Sequence, residues 1–198
     1  MNLCTQRIAK MKTEILTLID RSGSMAIIAE DAIGGFNTFL KDQREVKGKA
    51  RMTLALFDDF FEYVYQGKKL SEATDLTCET FVPRGSTALL DSLGKLINEQ
   101  AVRIKAEDWA DKVILCILTD GGENASKEFT TSQVKQLIET KQGEGWTVVF
   151  LAANQDAFAV GQSYGIARDF TKGFISNSQG TQNAYLNISA SVTGLRSN

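Results

Sequence analysis

Apolar positions fall along this chain in two alternating rhythms. Uniform runs rich in β-favouring residues, Ile15–Ile19 (ILTLI), Met52–Phe57 (MTLALF), Val113–Thr119 (VILCILT) and Trp146–Ala153 (WTVVFLAA), have the length and composition of strands buried on both faces. Between them apolar residues recur at helical spacing. Ile28, Ala32, Phe36, Phe39 and Leu40 predict a helix from about Met25 to Val46, and Ala88, Leu89, Leu93, Leu96 and Ile97 predict one to about Lys105. A third runs from about Thr131 to Lys141 and is stopped by Gly143 and Gly145, and a short one follows Asp156 as N-cap through Gln162. The Ser-, Asn- and Gln-rich tail reads as disorder by composition, yet Ala184, Ile188, Val192 and Leu195 repeat at helical spacing, which predicts a closing helix over 181–195. Gly34 and Gly35 each cost about 1 kcal/mol in a helix relative to Ala, so their presence calls for a close approach to the sheet or a bend.

The connections sharpen the architecture. Phe60–Tyr65 (FFEYVY) follows Met52–Phe57 across a turn at Asp58-Asp59 and reads as its hairpin partner, the one antiparallel pair expected. Its aromatics read as core, not as a stacking platform. Arg44–Arg51 (REVKGKAR) reads as a solvated connection, and Arg168–Phe170 as a last edge strand. A polar excursion over 67–82 delivers the loop Pro83–Thr87, where the sole proline and Gly85 define a turn in which Thr87 is held rather than floppy. Strands alternating with helices give an α/β fold: a Rossmann-like, doubly wound, mostly parallel sheet with one antiparallel edge strand and helices on both faces. Residues 1–11 form a lead-in and 12–198 a single domain. Sites in such sheets lie beyond the carboxyl ends of the strands, at the switch in strand order.

Composition removes whole classes of chemistry. Among 198 residues, 22 basic side chains stand against 24 acidic ones and the pI is near 5.3, so no field exists to draw in nucleic acid or an anionic membrane. No stretch approaches the roughly 20 apolar residues of a membrane span, and MNLCTQRIAKMK lacks the apolar core of a signal peptide. Three cysteines, Cys4, Cys78 and Cys116, show no C-x-x-C spacing. Reduced thiols agree with a cytoplasmic location; Asn124 and Asn187 open chance matches to the glycosylation sequon. Histidine is absent altogether, which excludes imidazole bases, Ser-His-Asp and Cys-His catalysis and every His-containing zinc site.

What remains is oxygen chemistry. The first strand ends in Asp20, and Ser22 and Ser24 follow at alternate positions of a tight loop, so a carboxylate and two hydroxyls turn toward one point. Alone this also reads as a turn with an Asx cap and N-capping serines. Two further strand-end segments add a hydroxyl at Thr87 and a carboxylate at Asp120, in the run Thr119-Asp120-Gly121. Such a donor set suits a hard divalent cation, and a cation offsets the repulsion of two carboxylates meeting at one rim.

The pattern D-x-S-x-S, an isolated Thr and a strand-terminal T-D-G resembles the metal-ion-dependent adhesion site (MIDAS) of the von Willebrand factor type A family, over roughly Lys12 to Gly173 and the last helix, with small stand-alone intracellular prokaryotic members nearest. The resemblance implies Asp20, Ser22, Ser24, Thr87 and Asp120 as the metal set, for Mg²⁺ or Mn²⁺ ahead of Ca²⁺. Ser22, Ser24 and Thr87 would touch the ion directly, with Asp20 and Asp120 acting through water. Mostly neutral direct ligands leave the ion electrophilic, so it would take an Asp or Glu side chain from a protein partner. The chain would then be a binding module, not an enzyme, monomeric on its own, with Arg21 and Arg84 adding positive charge that favours an acidic ligand. If Thr87 ended a mobile loop, it would couple partner binding to a shift of the last helix. Two alternatives stand beside it. A Mg²⁺-dependent phosphohydrolase using Asp20 as nucleophile is one, though Ser22 stands where that class has a second Asp and Gly121-Gly122 where it has further acids. A metal-stabilised scaffold without exchangeable ligand is the other.

Overall fold

The computed structural model describes residues 11–153 and 156–197, and in it the apolar runs are the inner strands of a six-stranded sheet of order β3-β2-β1-β4-β5-β6. The strands are β1 (Lys12–Asp20), β2 (Lys49–Phe57), β3 (Phe61–Lys69), β4 (Lys112–Thr119), β5 (Thr147–Ala153) and β6 (Thr171–Phe174). Only β2 and β3 pair antiparallel; every other neighbouring pair is parallel. Side chains alternate across a strand, and the core is split accordingly. Ile15, Ile19, Met52, Leu54, Ile114 and Cys116 face one layer of helix, while Leu16, Leu18, Ala55, Phe57, Leu115 and Ile117 face the other.

The first layer is α1 (Ala29–Glu45) and α5 (Ser178–Ser197); the second is α2 (Leu89–Glu107), α3 (Thr131–Gly143) and α4 (Ala157–Ser163). The apolar residues singled out on α1 are all buried. Asp156 caps α4 by accepting from the Ala159 N–H, and Thr130 and Gln133 form a reciprocal capping box at the start of α3 that spacing alone did not reveal. Cys116 lies in the core, and burial pushes its thiol up to about 12, so it is inert. Cys4 and the rest of the lead-in before Met11 lie outside the described residues.

Several boundaries differ from expectation for local reasons. The first helix opens as a 3-10 segment, Gly23–Ile28, entered by the Met25 N–H on the Ser22 carbonyl at 3.0 Å, and turns α only from Ala29. The charged run is a connection only over 46–48, since β2 begins at Lys49. Arg168–Phe170 is a 3-10 turn closed by the Phe170 N–H on the Ala167 carbonyl, and the edge strand follows it, pairing Thr171–Phe174 with Phe150–Ala153. Phe57 and Tyr65 belong to the core, but Phe60 sits at the hairpin turn, 70% exposed.

Gly35 also has a different cause from the one expected. It approaches α5, not the sheet: a Cβ there would stand 2.2 Å from the ring of Tyr185. Nothing in the structure explains Gly34. Gly35→Ala is expected to force the Tyr185 ring aside and cost about 1–3 kcal/mol. The Tyr185 hydroxyl is buried without a hydrogen-bond partner, so Tyr185→Phe should be neutral or stabilising. Urea unfolding of both variants checks the pair; a neutral Gly35→Ala would mean that α1 and α5 separate freely.

Candidate metal centre

Strand order reverses between β1 and β4, because the chain steps from β1 to β2 on one side and returns to β4 on the other. The loops that follow these two strands therefore emerge side by side. Asp20 closes β1 fully buried. Its Oδ1 accepts from the Ser22 N–H at 2.7 Å, and its Oδ2 accepts from the Thr119 hydroxyl at 2.6 Å. The Ser22 and Ser24 hydroxyls lie 3.1 Å apart, and Ser24 Oγ donates to Asp120 Oδ1 at 2.7 Å. Thr87 lies beside them across Gly121: a Cβ at that glycine would be in van der Waals contact, at 3.6 Å, with both Ser24 Oγ and Thr87 Oγ1, so the two hydroxyls flank the same point. All five residues singled out in the sequence meet here.

The electrostatics fit a cation. Burial lifts the Asp20 carboxyl to about 6 against the hydrogen bonds from Thr119 and Ser22, with Asp120 adding a smaller upward push. Asp120 is raised too, by burial first, with hydrogen bonds from Ser24 and Ser176 opposing. No ion pair reaches Asp20 among the described residues. Nor, among them, do three or more His, Cys, Asp or Glu side chains gather as a metal cluster, so any ion at this rim must be held largely by hydroxyls. Two buried carboxylates and three hydroxyls make a hard oxygen set.

Arg21 and Arg84, expected to add positive charge beside the site, both bind one carboxylate. Both guanidinium Nε atoms donate to Asp58 Oδ2 at 2.9 Å, and Arg21 Nη2 also reaches Glu62 at 2.8 Å. With Asp58 and Arg21 almost wholly buried, the trio is a clasp joining the ends of β1 and β2 to the loop before α2. Backbone bonds reinforce it: the Gly23 N–H donates to the Gly85 carbonyl at 3.1 Å and the Arg84 N–H to the Arg21 carbonyl at 2.9 Å. Gly85 has φ +64°, and a Cβ there would collide with the Asp59 carboxylate that receives the Ser86 N–H.

Thr87 is held, as the turn at Pro83 and Gly85 led one to expect, and the hydrogen bonds show by what. Its N–H donates to Asn124 Oδ1 at 2.9 Å, and its carbonyl accepts from the N–H groups of Asn124 and Ala125. Glu123 accepts from the Leu90, Ala125 and Ser126 N–H groups, while Asp91 accepts from those of Lys127, Glu128 and Phe129. The segment after β4 is thereby fastened onto the start of α2. Sequence reading missed Asp58, Thr119, Glu123, Asn124 and Asp91. Carboxylate and amide side chains crowded beside strand ends were the available signal.

No protein-family model and no curated protein matches the chain. Solved structures do. Proximal thread matrix protein 1 from the mussel byssus, in a form with a zinc-occupied MIDAS motif, aligns at TM-score 0.64 and 13% identity over 93% of this chain and 46% of that one. The von Willebrand factor domain of a type V pili tip protein from Porphyromonas gingivalis aligns at TM-score 0.63 and 12% identity, covering 92% of this chain and 95% of that one. A von Willebrand factor type A protein from Catenulispora acidiphila gives 0.62 and 15%, covering 93% and 43%. The architecture is therefore the von Willebrand factor type A fold, a mostly parallel α/β sheet with one antiparallel edge strand. The chain spans about half the length of the mussel protein.

Proposed function

We propose that this chain is a protein-binding module, a single domain over 12–198, whose Asp20, Ser22, Ser24, Thr87 and Asp120 hold a divalent cation, Mg²⁺ or Mn²⁺, for a partner's Asp or Glu to complete. The observation that carries it is the convergence of those five oxygen-bearing side chains at the β1/β4 switch point. A bound cation would supply a Lewis-acidic position for an anionic oxygen. This chain's residues do the rest: Thr119 and the Ser22 N–H orient Asp20, Asp120 orients Ser24, and the Asn124 and Ala125 backbone orients Thr87. Exposed Ile27, on the 3-10 segment after β1, and Phe60, Val82 and Ile175, in loops, lie beyond the same carboxyl edge and offer apolar contact around the site. The zinc-occupied MIDAS motif of the mussel protein supports the same use of the rim.

The burial of Asp20, with both oxygens already accepting hydrogen bonds, argues against its service as a nucleophile. No helix among the described residues is long and apolar enough to cross a membrane. The proposed setting is the cytoplasm of a prokaryote, with the chain monomeric until it meets its partner.

Selection of displayed peptides on the purified chain in millimolar Mg²⁺ tests the reading. Retained sequences should carry an Asp or Glu flanked by large apolar residues, and EDTA or Thr87→Ala should release them. Retention of peptides without an acid, or retention indifferent to EDTA, would overturn it.

A further inference from the structure

The charged run Arg44–Arg51 does not simply cross solvent. It lines a cavity of about 380 Å³ at the end of the sheet opposite the metal centre, where α1, α5 and β3 end and β2 begins. Arg44, Lys49, Arg51, Lys69 and Arg196 all border it, together with Trp109. Their counter-charges lie outside the lining: Asp75 is 3.6 Å from Arg44, Glu107 2.6 Å from Arg51 and Glu72 2.9 Å from Lys69. Lys49 has no ion pair among the described residues. Arg51 is held flat, its guanidinium carbon 4.2 Å from the centre of the Trp109 ring.

Arg196 is the most telling of the five. Only 3% exposed, it donates to the Gln43 carbonyl at 2.6 Å, to Gln43 Oε1 at 3.0 Å and to the Val46 carbonyl at 3.3 Å, all uncharged acceptors. Burial draws its pKa down to about 10, which leaves it charged at neutral pH. Capping the last carbonyls of α1 accounts for this guanidinium. It does not account for Lys49, Arg51 and Lys69 beside it. Five cations from four segments border one concavity, and among the described residues only three of them meet a carboxylate, none of which lines it, so the lining carries net positive charge.

We propose that this cavity is a binding site for a compact polyanion of the phosphate class, independent of the metal centre. Its volume falls within the range of about 300–1,000 Å³ typical of small-molecule sites. Arg44 Nε and Nη2 donate to the Leu70 and Ala73 carbonyls and Arg196 caps α1, so Lys49, Lys69 and Arg51 are the groups that would hold phosphate oxygens.

Inorganic pyrophosphate is the probe, titrated into the full chain by calorimetry and by thermal melting, in EDTA so that no metal takes part, with sodium chloride matched for ionic strength. Saturable binding and a melting temperature above the chloride control are expected. Lys49→Glu, at an exposed position, should fold normally, respond to Mg²⁺ as the native chain does, and weaken pyrophosphate binding by about tenfold or more. A melting temperature that follows ionic strength alone would sink the proposal. So would pyrophosphate binding that both Lys49→Glu and Lys69→Glu leave unchanged.

Discussion

Asp20→Asn is expected to raise the melting temperature of the metal-free protein near pH 7.5 and, in the same molecule, to abolish the rise that Mg²⁺ produces. The first effect follows from burial. The Asp20 pKa stands at about 6 in the fold against 3.8 for the free side chain, so the folded protein holds this proton to higher pH than the unfolded chain does. Stability therefore falls as pH rises from about 4 to about 6, and above that the ionised carboxylate costs about 3 kcal/mol. An asparagine removes that cost and keeps both of the hydrogen bonds that hold Asp20. Its oxygen still accepts from Ser22, and its amide donates to Thr119 Oγ1, whose own proton turns to the Gly121 carbonyl already 2.9 Å away. The second effect is loss of a donor charge: a cation at a hundredfold excess over Kd stabilises by about 2.7 kcal/mol, and the variant forfeits this. Melts in EDTA near pH 7.5 and 4.5, and in millimolar Mg²⁺, check both parts. The native–variant gap in EDTA should close at the acid end. A variant less stable than the native chain in EDTA at neutral pH, or one still stabilised by Mg²⁺, would contradict the assignment.

The largest loss of stability outside the metal centre is expected from Arg103→Met. Glu14, in the middle of the buried sheet and 1% exposed, receives Arg103 Nη2 on its Oε1. Thr53 Oγ1, Gln100 Oε1 and Glu107 lie on the same guanidinium, and the Gly67 N–H at the β2–β3 irregularity donates to Thr53. Burial raises the Glu14 pKa, with Arg103 and more weakly Arg51 opposing and Glu107 adding to the rise. Removing the arginine leaves a carboxylate in the interior with its main partner gone, at a cost of about 3–5 kcal/mol. Glu14 then takes up a proton more readily, so the folded pKa climbs further above the unfolded one. The cost should be greatest near pH 7.5 and smaller near pH 5. Urea unfolding at the two pH values measures this. Glu14→Leu with Arg103→Met should recover most of the loss. A loss equal at both pH values would show that packing of the Arg103 stem, not its charge, is what Glu14 depends on.

The sheet was legible because its inner strands are uniformly apolar, a pattern that only burial on both faces makes sense of, and α1 because Phe36, Phe39 and Leu40 keep a helical period. That the five oxygen-bearing side chains proposed for the metal lie at one rim was legible because they fall at the ends of different strands. What holds them was not. Arg21 and Arg84 look like free charge in a sequence, since nothing local shows that a carboxylate 37 residues away from one and 26 from the other will take both. That Thr87 is held was legible from the turn at Pro83 and Gly85, but not that Asn124 restrains it, on a loop that meets it only after β1 and β4 are neighbours. Gly35 was misread for the same reason: its partner Tyr185 is on the last helix. The edge strand β6 is four residues long and carries too little apolar pattern to be separated from the turn before it.

The Asp58 clasp and the Thr87–Asn124 tie divide labour in a way that bears on how such a chain can change over generations. The groups that place the loops include backbone amides, guanidinium groups and carboxylates outside the proposed metal set. Asp20 is costly where it lies, so losing it would stabilise the metal-free domain. On the proposed reading of the rim, drift toward a sturdier descendant without Asp20 is downhill in stability, so a lineage keeps this buried acid only while selection acts on what a bound ion would do.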